Sequence, residues 1–217
     1  MDKVIAESVK IPVSSQVIEG NLAVPAGAKG IVLFAHGSGS GRFSPRNQYV
    51  AKYLNKAGIG TLLIDLLTHV EEETDEFTGQ FRFDIGLLAT RLITATNWLL
   101  RREVTKKFGV GYFGASTGAA AAVIAAANFP SETRAVVSRG GRPDLAMDYL
   151  PKVKAPTLFI VGGDDDVVIE LNRKAFGLVK AEKKLEIVLG ATHLFEEPGK
   201  LEEVARLAAE WFSKYFV

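Results

Sequence analysis

The chain has no cysteine, which removes disulfide crosslinks, thiolate metal sites and a cysteine nucleophile together. The same lack agrees with a reducing compartment, so the expected location is cytoplasmic. A surplus of one charge is also missing. With 26 Lys and Arg against 25 Asp and Glu, the formal charge of +1 offers nothing that points to nucleic acid. Met1-Asp2-Lys3-Val4 leads into alternating polar and apolar residues rather than the long apolar region of a signal peptide. The most hydrophobic stretch, Gly118 to Phe129, is too short to span a bilayer and reads as a buried helix, so no membrane partner is expected. Histidine is scarce: His36, His69 and His193 are the only candidates for a general base at neutral pH.

What is present describes an ordinary globule. At 217 residues with 47% hydrophobic content, the chain suits one α/β domain over residues 1–217 with a substantial core. Residues 3–13 and 17–24 alternate apolar with polar and predict an antiparallel edge hairpin. Continuous apolar runs follow at Gly30–Ala35, Thr61–Leu67, Val110–Phe113, Ala135–Val137, Thr157–Val161 and Leu185–Leu189, as strands covered on both faces require. Helical patterns lie between them, at Pro45–Lys56, Phe83–Arg102, Gly118–Asn128, Pro143–Leu150, Ile169–Val179 and Lys200–Tyr215. Strands alternating with helices predict a doubly wound, mostly parallel sheet with helices on both faces. The acidic run Glu71-Glu72-Glu73-Thr74-Asp75-Glu76 reads as a solvated surface loop.

The chemistry concentrates at Gly109–Asn128, GVGYFGASTGAAAAVIAAAN. A short apolar strand breaks at Gly114-Ala115-Ser116-Thr117-Gly118 and continues as an alanine-rich helix, which puts Ser116 on a strand-to-helix turn. Such a turn projects a serine hydroxyl above the sheet edge, and its G-x-S-x-G pattern keeps small residues where the chain passes closest. Thr117 then offers a backbone N–H at a helix N-terminus, suited to a developing oxyanion. The plain alternative is that five small residues let a helix pack tightly on a strand. Gly109, Gly111 and Gly114 also spell G-x-G-x-x-G, but the glycines are interleaved with the strand instead of following it, which weighs against a dinucleotide site.

Ligands in open α/β sheets bind beyond the carboxyl ends of the strands, so the loops there carry the argument. His36-Gly37-Ser38-Gly39-Ser40-Gly41-Arg42 follows the first apolar run and makes Ser38 the candidate for a second oxyanion N–H; the alternative is a glycine-rich turn with a core-facing His36. Asp164-Asp165-Asp166 follow a later strand, and His193 follows the last. Serine, acid and histidine in that order on one sheet edge are what a nucleophilic hydrolase of this architecture needs, although three adjacent acids are by themselves only a polar turn. Arg139 and Arg142 flank a glycine pair on the same edge, as candidates for binding an anionic substrate or for pairing with a structural carboxylate such as Asp144.

Taken together, GYFGASTGAAAA, HGSGSGRFSPRN, SRGGRPDLA, PTLFIVGGDDDVVIELN and GATHLFEEPG resemble the dienelactone hydrolase-like branch of the α/β-hydrolases. They are most similar to the small hydrolase domain that also occurs fused to phosphoribosyltransferases, and the resemblance covers nearly the whole chain. It implies an α/β-hydrolase fold with about eight strands and no large cap domain. It also implies Asp165 as the acid, three residues after the strand-end Gly162, and a serine hydrolase of small esters with a Ser116, Asp165 and His193 triad. Ser116 stands where dienelactone hydrolases proper use cysteine. No metal or organic cofactor is called for. A thioesterase, an amidase, an acyltransferase or a non-catalytic small-ligand binding protein are the other readings of the same scaffold. The sequence carries no signal of oligomeric state.

Overall fold

The computed structural model describes residues 5–216. Ile5–Val13 (β1) and Gln16–Val24 (β2) form the expected antiparallel hairpin, turning at Ser14-Ser15 with Ser14 in the left-handed region. Residues 3 and 4 of that expected strand, and the Met1–Val4 leader, lie outside the described residues. The apolar runs become the fully buried Gly30–Ala35 (β3), Gly60–Ile64 (β4) and Thr157–Gly162 (β7), joined by Gly109–Ala115 (β5), Thr133–Arg139 (β6) and Lys183–Val188 (β8). All eight strands share one sheet in the order β1-β2-β4-β3-β5-β6-β7-β8. From β4 to β8 every neighbour is parallel, while β1 and β2 are antiparallel.

Helices cover both faces. Pro45–Lys56 (α1) and Lys200–Tyr215 (α6) pack on one face through Val50, Leu54, Val204, Ala208 and Phe212. Ile85–Arg101 (α3), Gly118–Asn128 (α4) and Asp166–Leu178 (α5) cover the other through Leu88, Leu92, Ala121, Ala125 and Ala175. The alanine run of α4 is buried along nearly its whole length, which lets that helix lie close to the strands beneath it. Burial of a side chain such as Phe212, fully enclosed, contributes roughly 1.5 to 3 kcal/mol. Among the described residues no helix is long and apolar enough to cross a membrane.

Three expectations are corrected. The acidic run is not a loop: His69–Thr78 is a helix (α2). Its start is fixed by a capping box, in which the Thr68 hydroxyl accepts from Glu71 N–H and the Glu71 carboxylate accepts from Thr68 N–H. Asp75, one of the acids read as solvated, is buried and receives the N–H groups of Phe81 and Arg82 and the Arg82 guanidinium. Pro143–Leu150 is not one helix but two short 3₁₀ turns, Pro143–Ala146 and Leu150–Lys152, each with a proline in its first two positions that has no N–H to give to a preceding turn. The strand expected to reach Leu67 stops at Ile64, because Asp65 N–H turns to Glu19 O and Leu66 N–H to His36 Nε2. The glycines of the G-x-G-x-x-G pattern lie inside β5, and a Cβ on Gly111 would come within 2.7 Å of the Phe212 ring, so that glycine admits α6 onto the sheet.

Candidate active site

Ser116 follows β5 directly and holds φ at +49°, the left-handed region a non-glycine residue rarely occupies. The turn is tight enough to demand the glycines on either side. A Cβ on Gly114 would lie 2.4 Å from Ala119 Cα, and one on Gly118 would lie 2.3 Å from Ala35 O. Main-chain bonds clamp the serine from the neighbouring strand end: Ser116 N–H donates to Arg139 O at 3.3 Å, and Arg142 N–H donates to Ser116 O at 2.9 Å. Asn172 on α5 secures this second turn, its Nδ2 donating to Gly141 O. Asn172 has no motif around it, so nothing in the sequence marks it.

His193 reaches the same spot from the loop after β8. Its Nδ1 lies 2.7 Å from Asp165 Oδ2 and its Nε2 lies 3.4 Å from Ser116 Oγ. A carboxylate can only accept, so Nδ1 carries the proton in this pair and Nε2 faces the serine with a free lone pair. Asp165 is half-buried, while Asp164 and Asp166 are exposed. The loop is anchored by Phe195, fully buried with φ of +58°, and by Glu197, whose Oε1 accepts from Thr192 N–H and Thr192 Oγ1–H. Close contact with the strand ends completes its seat, since a Cβ on Gly162 would lie 2.4 Å from Ala191 O. His69 is an exposed neighbour of Glu73 on α2.

His36 is a support for the glycine-rich loop. Its Nδ1 meets Gly37 O at 2.9 Å and its Nε2 accepts from Leu66 N–H at 3.0 Å, so the ring is held neutral, and burial pushes its pKa below the ordinary value. The loop crosses over the serine: a Cβ on Gly37 would lie 3.0 Å from Ser116 Cβ. Ser38 N–H, expected to point freely at an oxyanion, instead donates to Thr117 Oγ1 at 3.1 Å. Thr117 N–H has no partner among the described residues. A cleft opens beside this loop, lined by Gly37, Ser38, Leu67, Glu72 and Arg82.

The two arginines part company. Arg142 is paired with Asp144 through two contacts of 2.9 Å, the structural pairing that was the alternative to anion binding for it. Among the described residues Arg139 is buried with no acidic partner and with its Nε bonded to nothing, near the Phe195 ring. Burial first, and the nearby Arg46 second, push its pKa down to about 10. Among the described residues no group of three or more His, Asp or Glu side chains could hold a metal ion.

Residues 18–216 match the model of the dienelactone hydrolase family. A crystal structure of a dienelactone hydrolase from Anabaena variabilis superposes with a TM-score of 0.96 at 57% identity, covering 98% of each chain. Est1E from Butyrivibrio proteoclasticus superposes with a TM-score of 0.81 at 16% identity, over 96% of this chain and 98% of that one, a likeness of fold. A Mycobacterium tuberculosis protein described as "Putative phosphoribosyl transferase" is 55% identical over 206 residues, which are 95% of this chain and 46% of that protein. The chain thus spans about half the length of the curated relatives it matches. With a matching family model over nearly all its residues, an eight-stranded hydrolase sheet and a serine elbow at the strand edge, the chain belongs to the dienelactone hydrolase family of α/β-hydrolases.

Proposed function

We propose that this protein hydrolyses small carboxylic esters through an acyl-enzyme on Ser116. The observation that carries the reading is the convergence of Ser116 Oγ, His193 Nε2 and Asp165 Oδ2, from three loops far apart in sequence, at 3.4 Å and 2.7 Å. Ser116 Oγ attacks the ester carbonyl carbon while its proton passes to His193 Nε2, and the carbonyl π pair moves onto oxygen. Asp165 holds the imidazole in the required tautomer and stabilises the imidazolium. The Thr117 N–H faces the oxyanion with Ser38 beside it. Collapse of the tetrahedral intermediate breaks the bond to the alkoxide, which leaves with the proton from Nε2. Water then enters, gives a proton to Nε2, and its oxygen attacks the acyl carbon; collapse of this second tetrahedral intermediate re-forms the carbonyl and breaks the bond to Ser116 Oγ, which takes the proton back from Nε2. Each half-reaction begins with a free lone pair on His193 Nε2 facing the proton it takes.

Fluorophosphonate labelling together with release of a chromophore from short-chain aryl esters tests the assignment. A burst of one alcohol per chain and a label on Ser116 are expected, and Ser116→Ala removes both, lowering turnover by about 10⁶-fold. Ester hydrolysis that survives Ser116→Ala would sink the nucleophile.

A second reading concerns substrate charge and follows from Arg139. A buried guanidinium without a carboxylate is short of one anion, and an acid group on the substrate would supply it. Arg139→Met then removes a preference for acid-bearing over neutral esters worth roughly 1.5 to 3 kcal/mol, and, by removing a buried charge, leaves thermal stability unchanged or raised. An unchanged ratio of the two rates would make Arg139 structural.

A further inference from the structure

Thr117 brings two hydrogen-bond donors to the nucleophile turn, its backbone N–H and its hydroxyl, and neither has an acceptor among the described residues. The hydroxyl oxygen is engaged on one side only, where it accepts from Ser38 N–H at 3.1 Å. That bond restrains Oγ1 and directs its own proton away from Ser38. Thr117 is only 5% exposed, so this is a nearly enclosed hydroxyl that accepts but does not donate. Buried donors in native proteins find partners, and a donor left open beside a reactive serine points to a partner that comes and goes.

The neighbourhood identifies that partner. Thr117 follows Ser116 in the chain and stands at the start of α4, where the helix dipole favours negative charge. The loop bearing Ser38 passes directly over Ser116. The transient acceptor in such a place is the oxygen that receives the carbonyl π pair when Ser116 attacks. We propose that the side-chain hydroxyl of Thr117 is a direct oxyanion donor alongside the Thr117 backbone N–H, and that Ser38 is a positioning residue whose N–H orients that hydroxyl. The inference rests on Ser116 being the nucleophile. No proton is transferred: Oγ1 keeps its hydrogen, shares it with the oxyanion while the tetrahedral intermediate exists, and the bond weakens when the carbonyl re-forms. An O–H···O⁻ bond is shorter and stronger than one between neutral groups, and a hydroxyl that is itself accepting from Ser38 is polarised toward donation.

Thr117→Val keeps the shape of the side chain and deletes the hydroxyl, whereas Thr117→Ser keeps the hydroxyl and deletes a methyl. With active sites counted by fluorophosphonate and a neutral aryl ester as substrate, Thr117→Val is expected to lower kcat on the order of 10²-fold with little change in KM. It is also expected to weaken an aryl boronic acid, which forms a tetrahedral adduct on Ser116, by a comparable factor. Thr117→Ser, which keeps the hydroxyl, should lose far less than Thr117→Val in both assays. A Thr117→Val enzyme as fast as the parent, or faster, overturns the proposal, because the freed Ser38 N–H would then be the donor and the hydroxyl only its resting cover. A loss that appears in KM or melting temperature while boronate affinity holds overturns it too, since that is the pattern of a loop anchor. Should Thr117→Val fold poorly, boronate affinity of Thr117→Ser against Thr117→Ala reads the same contrast. Failure of the ester-hydrolase reading looks different: the parent itself would then take no label on Ser116.

Discussion

The turn after β5 and the loop after β8 deliver their reactive groups to the same point by opposite means. Ser116 is fixed by main chain: a left-handed φ, two backbone hydrogen bonds from the β6 end, and glycines whose replacement would drive a Cβ into backbone atoms. His193 is fixed mainly by side chains: Asp165 on its ring, Glu197 on Thr192, and Phe195 buried beneath. Backbone fixing is rigid and all-or-none, because a clash with a carbonyl leaves nothing to relax. Side-chain fixing is graded, because each contact can be weakened by itself. On the function proposed above, the nucleophile is built into the fold, while the base is held by contacts that substitution can tune.

Six substitutions test this contrast. The largest effect is expected at the one contact that serves both orientation and charge. Asp165→Asn should lower kcat by about 10⁴-fold, as expected when the wrong imidazole tautomer faces the serine. Asp164→Asn and Asp166→Asn, both exposed, should stay close to the parent in the same steady-state assay. Equal losses at Asp164 would reverse the assignment. Next comes the elbow. Gly118→Ala puts a methyl 2.3 Å from Ala35 O, and chemical denaturation should register a loss of at least about 3 kcal/mol. A stable, active Gly118→Ala protein would show that the elbow has slack and would break the comparison.

Glu197→Gln should act more gently. It keeps an acceptor for Thr192 but removes the charge, so kcat is expected to fall several-fold at unchanged melting temperature. The smallest effect is one of pH. His36 has a folded-state pKa below its ordinary value of 6.5, so as pH drops below that value the unfolded chain gains a proton that the folded chain refuses. Stability should therefore decline with falling pH until the folded value is passed, at no more than about 1.4 kcal/mol per pH unit from this group. His36→Gln leaves an acceptor for Leu66 N–H, and its melting temperature should depend less on pH in that window.

The same contrast explains what could be read in the sequence. A backbone requirement leaves a mark at short range, so G-x-S-x-G between a strand and a helix announced the Ser116 turn, and the apolar runs announced the parallel strands. Side-chain anchoring leaves no such mark. Asn172 and Glu197 are ordinary polar residues until the chain brings them to Gly141 and Thr192. Arg139 and Arg142 read alike in SRGGR, yet Asp144 two residues further on neutralises only the second. Their nearest service to the serine, through main-chain O and N–H, is invisible to residue type. The acidic run misled because composition outweighed its cap. Thr68 followed by Glu71 is a helix start, and the partners of the acids, Arg82 and Arg91, lie further along the chain.

Helix α2 shows what that exception means for the protein's future. Its only buried residue is Asp75, which binds Arg82 within the same segment, and a side-chain tie to the body runs from Glu71 to Arg91, while Phe77 and Val70 face outward. The segment rests at the mouth of the cleft without belonging to the core. A piece attached in this way is exchangeable. Evolution or a designer can lengthen, shorten or graft residues 69–84 and so redraw what the cleft admits, while the strained serine and its histidine are inherited unchanged. On the proposed function the sheet edge is a socket and α2 a fitting, so substrate range would be free to drift faster than the chemistry.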